Sequence, residues 1–528
     1  MSARPDIVLL VLDTQRVDRL SCFGHARETS PSLDALAADA TRFTHAVAPA
    51  QWTIPSHTSM FTGQYPAQHQ TVQPFHRVPS AVSTLAERLH AGGYFTAAMC
   101  NNPLVGVVNN GLRRGFQSFL NYSGLMTSRP NQAAVGRGPM DRYRQQFKRV
   151  VVDAMTSLQD VFARSDAMLE FSFNPLMRPL WQTALSFKGN TAKSLRDAAQ
   201  LLTTRREVAR DQPIFCFVNL MGTHIPYHPS LRNLERFAPL VRKSKVAQRY
   251  LRQFNGDVFG WLTPLAADLD DETRELLRGV YDAGVADQDE LLGVFFDQLR
   301  ASGSFDRTQF IICADHGEHL GEKRFLGHSF SVYNELVHVP LIIRDPSGDL
   351  PRGADIAHVV STRRIFHTAL TTAGVATDDE RRLTLAVDAT DSPERDPEHG
   401  QVFAEAIPIQ NVLHLLQRRR PALISELACD QPRRAVWNGR FKLAQTGERH
   451  AELYNSYDDP KERLDLGQIL PEAVETMQEM LGAFVQRNAA ARTGAADDPG
   501  ADAAAPTLVP DYDDPQVQRR LHDLGYLE

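Results

Sequence analysis

The chain has 528 residues, of which 42% are hydrophobic and 23% charged. That balance excludes a mostly disordered chain, a collagen and a disulfide-framed mini-protein. A net charge of -6 leaves no basic field for nucleic acid or anionic lipid. The cysteines, Cys22, Cys100, Cys216, Cys313 and Cys429, are scattered, odd in number and mostly beside apolar residues. They read as buried reduced thiols, not a disulfide set. No run approaches the ~18 apolar residues of a membrane span, and the apolar stretch before Asp13 is too short for a signal peptide. The expected location is cytoplasmic.

In chain order, residues 7–12 form an apolar run without alternation, as a strand covered on both faces requires. Residues 32–40 follow a Ser30-Pro31 helix start, and residues 83–91 form a helix closed by Gly92-Gly93. Residues ~122–205 are helical by pattern and interrupt the rhythm as an insertion. They are either a cap that only packs or a lid that shapes substrate access. Strands follow at 214–220, 309–313 and 339–343, with a long amphipathic helix over 282–301. Strand–helix alternation of this kind predicts an α/β fold, a doubly wound parallel sheet with helices on both faces.

The catalytic domain is expected over residues 1–380, and an α+β subdomain over 381–489. In the latter, residues 402–406, 422–427, 434–443 and 452–454 are strand-like, with a turn at Asn438-Gly439. A small antiparallel sheet closed by a helix over 471–489 is predicted. Residues 490–510 read as a flexible linker and 511–528 as a C-terminal helix.

In doubly wound folds, ligands bind outside the carboxyl ends of the strands. Asp13 follows the first strand, His224 and His228 follow the 214–220 strand, and Asp315-His316-Gly317-Glu318 follows the 309–313 strand, with Gly327-His328 downstream. Two carboxylates and several imidazoles on one rim point to a divalent cation. The segment from Gln51 to Gly63 places Pro55, Ser56, Thr58 and Ser59 at a polar helix start. The hydroxyl of Thr53 either caps that helix or sits at its positive end as a nucleophile.

Asp13, the Pro-Ser…Thr-Gly segment around Thr53, and Ala314-Asp315-His316-Gly317-Glu318 together resemble the sulfatases of the alkaline phosphatase superfamily. The likeness continues through residues 331–342, with Tyr333, Glu335 and Val339-Pro340-Leu341-Ile342. It extends to Arg440-Phe441-Lys442-Leu443, Glu452-Leu453-Tyr454 and Asp459-Pro460. It implies an alkaline-phosphatase-like core, a small C-terminal antiparallel sheet and one divalent metal.

The departures bear on the chemistry. A typical sulfatase carries Cys-x-Pro-x-Arg, or Ser for Cys, whose first residue is oxidised to formylglycine. Here the run is Thr53-Ile54-Pro55-Ser56-His57. The methyl group on the Thr53 Cβ forbids an aldehyde, and His57 stands in place of the supporting arginine. Thr14 replaces the usual second acid after the first strand, and Asn101-Asn102 end the stretch where many sulfatases carry Gly-Lys-Trp-His-Leu-Gly. The pattern is similar to phosphodiesterases and phosphoglycerol transferases of the superfamily, in which a metal-bound threonine attacks. Asp13, Thr53, Asp315 and His316 would then hold one divalent metal: Mn²⁺, Mg²⁺ or Zn²⁺, with Ca²⁺ a poorer fit to so few carboxylates. Thr53 would be the nucleophile, with His224 and His328 as catalytic groups that bind oxygens or protonate the leaving group. Asn101, Asn102 and His57 would face the substrate, His57 equally placed as a structural support. His45, His69 and His76 read as structural or surface residues. The implied substrate is a small-molecule, lipid or glycan ester of phosphoric acid, or else a sulfuric ester cleaved without formylglycine. A phosphoryl transferase and a non-catalytic binding protein are further alternatives.

Overall fold

A computed structural model describes residues 4–122, 188–206, 208–386, 396–448 and 450–496. Most of the expected insertion, the later part of the expected linker and the expected C-terminal helix lie outside the described residues.

Strand β1 (Asp6–Leu12) lies at the centre of a nine-stranded sheet. β2 (Thr41–Val47), β3 (Phe95–Cys100), β4 (Ser118–Asn121), β5 (Ile214–Leu220) and β6 (Thr308–Cys313) follow along the chain. A two-stranded ribbon of β7 (His319–Leu320) and β8 (Leu326–Gly327) leads to β9 (His338–Val339), β10 (Leu341–Arg344) and β11 (Ala354–Ser361). The order across the sheet is β11-β2-β10-β6-β1-β5-β3-β4, with β9 paired to β2. Every residue of β1 is buried. Val8, Leu10 and Leu12 face one apolar core, and Ile7, Leu9 and Val11 face the other. Helices cover both faces. Thr191–Thr204 and the long Asp271–Ala301 pack into the first core, and Thr53–Thr62, Leu85–Ala91 and Ile365–Thr372 into the second. Burying each large side chain of β1 on both faces stabilises the centre by about 1.5–3 kcal/mol per residue.

Three expectations need correction. The apolar run 339–343 is not a parallel strand: β10 pairs antiparallel with both β6 and β2. Between Cys313 and Leu341 the only α-helix is the single turn Asn334–Val337, too short for a parallel crossover, so the chain turns back. Pro340 cannot donate to a ladder and splits off β9. Residues 422–427 are not a strand but a short helix, Ala422–Glu426, which follows Pro421 and buries Leu423. The long helix begins at Asp271, capped by Asp270 Oδ1 accepting from the Thr273 N–H, so it starts about three turns earlier than the pattern predicts.

The second sheet is an antiparallel meander of β12 (Val402–Ala406), β13 (Arg433–Asn438), β14 (Phe441–Thr446) and β15 (His450–Asn455). The β13–β14 turn falls at the Asn438-Gly439 signal, with Gly439 at φ 57. One face of this sheet packs Phe403, Val436, Leu443 and Leu453 against Met477, Leu481 and Phe484 of the helix Pro471–Ala496. That helix runs past residue 489, so the first residues of the expected linker are helical. Among the described residues, no helix is long and apolar enough to cross a membrane.

Candidate active site

β1, β3, β5 and β6 are mutually parallel, so their carboxyl ends open on one rim. β1 delivers Asp13, β6 delivers Asp315 and His316, β5 delivers the turn at 221–227, and β3 delivers Asn101 and Asn102. The helix Thr53–Thr62 enters the same rim with its N-terminus. Asp13, Asp315 and His316 are fully buried, and one ligand atom of each lies within 4.8 Å of the other two.

Among the described residues, each carboxylate hydrogen-bonds through one oxygen only. Asp13 Oδ2 accepts from Asn102 Nδ2 at 2.6 Å and Asn219 Nδ2 at 3.1 Å. Asp315 Oδ1 accepts from the backbone N–H of Thr14 at 3.2 Å and of His316 at 3.0 Å. Asp13 Oδ1 and Asp315 Oδ2 have no hydrogen-bond partner among the described residues. His316 Nδ1 donates to the Gly317 carbonyl at 2.9 Å, so its Nε2 carries the lone pair. Burial, reinforced by the facing Asp13, pushes Asp315 well above the usual carboxylate range. Two orphaned carboxylate oxygens and one imidazole nitrogen whose lone pair meets only the Thr53 hydroxyl are a donor set that a divalent cation satisfies, and the residues fit that group.

Thr53 is the first residue of its helix, and the extended Trp52 holds the N-cap position before it. It is buried, with Oγ1 3.3 Å from His316 Nε2. The capping reading of this hydroxyl therefore fails, and the hydroxyl lies beside the carboxylate cluster. Ser56, one turn on, donates to the Asp315 carbonyl at 2.5 Å and ties the helix to the end of β6. His57 is fully buried, donates from Nδ1 to the Thr53 carbonyl at 2.9 Å, and stands 3.4 Å from Asp315 Oδ2. Burial lowers its pKa, so it sits there as a neutral ring.

The other imidazoles face one another. The His316 and His328 ring centroids are 4.5 Å apart, and those of His224 and His328 are 5.1 Å apart. His224 Nδ1 donates to the Ile225 carbonyl at 2.5 Å. Burial, then the neighbouring His328, depresses the pKa of both His224 and His316. Burial also opposes charge on His328, but the Glu318 carboxylate overrides it: Oε1 accepts from His328 Nδ1 at 2.8 Å and raises the pKa. Asn102 uses both ends of its amide, Nδ2 on Asp13 and Oδ1 on the Leu104 N–H, so it supports the carboxylate. Asn101 lies buried with Oδ1 unpartnered and Nδ2 3.4 Å from Thr191 Oγ1. His69 is buried against Ser59, and His45 stacks on His338, away from this rim.

A family model described as Sulfatase matches residues 5–375. The chain belongs to the sulfatase family. Its relatives include an ulvan-active sulfatase from Formosa agariphila, 22% identical over 92% of this chain and 81% of that protein. A multifunctional alkaline phosphatase superfamily protein, PehA, from Trinickia caryophylli is 24% identical over 65% of this chain and 68% of its own. Among solved structures, a phosphonate monoester hydrolase of Agrobacterium radiobacter superposes with a TM-score of 0.63 at 19% identity, covering 92% of this chain and 96% of that one. This sulfatase-family chain is therefore a hydrolase of ester bonds.

Sequence reasoning about this sulfatase-family chain missed three contributors. Asn219 holds Asp13, and its signal was an amide at the next-to-last position of an otherwise apolar strand. Glu318 was visible beside the Asp-His pair but carried no role until its bond to His328 was seen. Thr223 donates to the Asp13 carbonyl at 2.8 Å, and nothing in its sequence setting marks it. Thr14, where the family usually has a second acid, adopts φ 61. That left-handed conformation is costly for a β-branched residue, roughly 1–3 kcal/mol, and it goes with the N–H that reaches Asp315.

Proposed function

We propose that this chain is a metal-dependent hydrolase in which Thr53 attacks phosphate mono- or diesters. The observation that carries the reading is the Thr53 hydroxyl, buried beside the Asp13–Asp315–His316 cluster at a helix N-terminus. A divalent cation held by Asp13, Thr53, Asp315 and His316 would supply Lewis acidity, lowering the pKa of a hydroxyl and drawing charge from the transferred group. Among Mn²⁺, Mg²⁺ and Zn²⁺ the mixed oxygen and nitrogen donors favour none strongly, whereas Ca²⁺ prefers more oxygens.

In this reading the Thr53 hydroxyl gives up its proton to solvent, and its oxygen forms a bond to phosphorus as the bond to the leaving oxygen breaks. His328 gives the leaving oxygen a proton, because Glu318 supports positive charge on its ring. His224, held by its bond to Ile225, donates from its other nitrogen to a non-bridging oxygen only in its protonated state and otherwise packs the site. Asn101 offers an amide to the same group. Water then splits the phosphothreonine and restores the hydroxyl. The support from relatives is mixed. One is named for sulfatase activity, another as a multifunctional alkaline phosphatase superfamily protein, and the structural neighbour as a phosphonate monoester hydrolase. A sulfuric ester hydrolase without formylglycine is the second reading, favoured by the sulfatase relatives. We also keep the cytoplasm as the proposed location, consistent with five unpaired cysteines.

The deciding experiment offers the purified protein, loaded with each metal in turn, matched aryl phosphate, phosphodiester, phosphonate and sulfate esters. Faster turnover of phosphorus esters supports the proposal. A preference of more than about a hundredfold for the sulfate ester would replace it with the second reading.

A further inference from the structure

Lys188 lies just before the helix Thr191–Thr204, far in sequence from every residue of the site. Its Nζ donates to the carbonyls of Gly222 and Pro226, at 3.0 Å each. Those carbonyls bracket Thr223, which holds the Asp13 backbone, and His224, whose ring faces His328. Gly222 is anchored on its other side by Gln288, whose Oε1 accepts its N–H at 2.9 Å. The segment reaches this place by close backbone packing. A Cβ at Gly189 would stand 2.7 Å from the Tyr122 carbonyl and 2.8 Å from the Asn101 Cβ, so only glycine allows the approach.

We propose that Lys188 is a positioning residue for the ester-cleaving site. Its ammonium fixes the Gly222–Pro226 turn behind His224 and places a positive charge that strengthens binding of an oxyanion at the rim. This rests on the reading of the site given above.

Two carbonyls need only a neutral donor, whereas a buried ammonium is costly unless its charge is used. The charged and titratable groups facing Lys188 are Glu318 after β6, Asp13 after β1, Asp287 on the long helix and His224 on the turn itself. Desolvation outweighs the three carboxylates and brings the Lys188 pKa down to about 7. The sign follows directly. Below that pH Lys188 is charged and the rim favours anions; above it the amine is neutral and that attraction is lost, while its hydrogen bonds to the carbonyls can persist.

The test uses inorganic sulfate, whose charge is constant from pH 6 to 9, with the full-length Mn²⁺-loaded protein. Calorimetry gives its Kd across that range for the wild type, Lys188→Arg and Lys188→Gln. Wild-type affinity should fall about tenfold between pH 6 and 8.5, as expected for losing one nearby charge at intermediate dielectric. Lys188→Arg, charged throughout, should keep only the part of that fall that His328 contributes on losing its own charge, and Lys188→Gln should bind more weakly than the wild type at the low-pH end. In protein labelled with ¹³C-lysine, one of the eight lysines should titrate near pH 7, and its signal should be absent from Lys188→Arg. Identical pH profiles in the wild type and Lys188→Arg, or wild-type affinity in Lys188→Gln, would reduce Lys188 to a structural tether and overturn the proposal. The absence of any lysine signal titrating near pH 7 in the wild type would do the same without depending on any variant. Sulfate binding does not require attack by Thr53. Thr53→Ala with wild-type turnover would therefore reject the nucleophile and leave the Lys188 result standing.

Discussion

In the proposed reading, Thr53 and His57 stand where a typical sulfatase has its oxidisable residue and supporting arginine, and their chemistry would separate this chain from the formylglycine enzymes. A threonine side chain cannot become an aldehyde, so mass spectrometry of the peptide spanning residues 50–63 should show unmodified Thr53. Thr53→Ala should lower kcat by at least about 10³-fold, and Thr53→Ser should stay within about tenfold of the wild type, because serine presents the same hydroxyl. An unchanged rate in Thr53→Ala would mean that water attacks directly. At His328 the relevant feature is the Glu318 carboxylate on Nδ1. His328→Ala should slow esters with alkyl leaving groups by roughly 10²–10⁴-fold and nitrophenyl esters far less, since an acidic leaving group departs without a proton. Glu318→Gln should show the same selectivity more weakly. Uniform slowing across a leaving-group series would instead assign His328 to binding the transferred group. The cluster of Asp13, Asp315 and His316 was legible because its members follow strand ends. Asn219 and Thr223 were not, because a side chain that only holds a ligand residue leaves no spacing of its own.

The elements divide in a similar way. β1, β5 and β6 were readable because burial on both faces demands uninterrupted apolar runs. β2 (Thr41–Val47) mixes Arg42, Thr44 and His45 with apolar residues, and β11 near the sheet edge is only partly buried, so neither stood out. Residues 422–427 misled because a short apolar run carries no reliable period, and the neighbouring Pro421 decides for a helix start. The joint between the two sheets was equally hidden. Lys442 of β14 is fully buried, donates to the Val332 carbonyl at 2.7 Å and Asn334 Oδ1 at 3.0 Å, and pairs with Glu462 at 2.5 Å. Glu462 Oε2 in turn accepts the Asn334 N–H at 2.8 Å. The hydrogen bonds of this ion pair to Val332 and Asn334 thus tie the meander to the segment after β8. Lys442→Met should cost about 3–5 kcal/mol in urea unfolding by stranding a buried carboxylate, and adding Glu462→Gln should recover much of that loss. Equal instability of the single and double variants would mean that packing of the lysine stem, not the charge, holds the joint.

For the whole molecule, the buried carboxylates of the rim make stability depend on what neutralises them. Asp13 and Asp315 face each other out of water, each with one oxygen unpartnered among the described residues. Like charges so placed oppose folding, and a bound cation reverses the sign of that contribution. Binding to the folded chain alone adds RT ln(1 + [L]/Kd), about 2.7 kcal/mol at a hundredfold excess over Kd. Chelation should therefore lower the unfolding temperature, and restoring Mn²⁺ or Zn²⁺ should raise it again. Asp13→Asn should behave oppositely in the two states: more stable than the wild type without metal, because one repelling charge is gone, and nearly insensitive to added metal. The ion count discriminates further. Among the described residues, Asp13, Asp315 and His316 are the one group arranged to hold a metal, and Thr14 stands where a second acid would help a second ion. The Nδ1 atoms of His224 and His328 donate to the Ile225 carbonyl and the Glu318 carboxylate, bonds that suit rings held for proton transfer. Elemental analysis should thus find one divalent ion per chain, lost in Asp13→Asn and Asp315→Asn and retained in His224→Ala. Two ions in the wild type, with one lost in His224→Ala or His328→Ala, would move both histidines from proton transfer to metal binding and make the mechanism dinuclear.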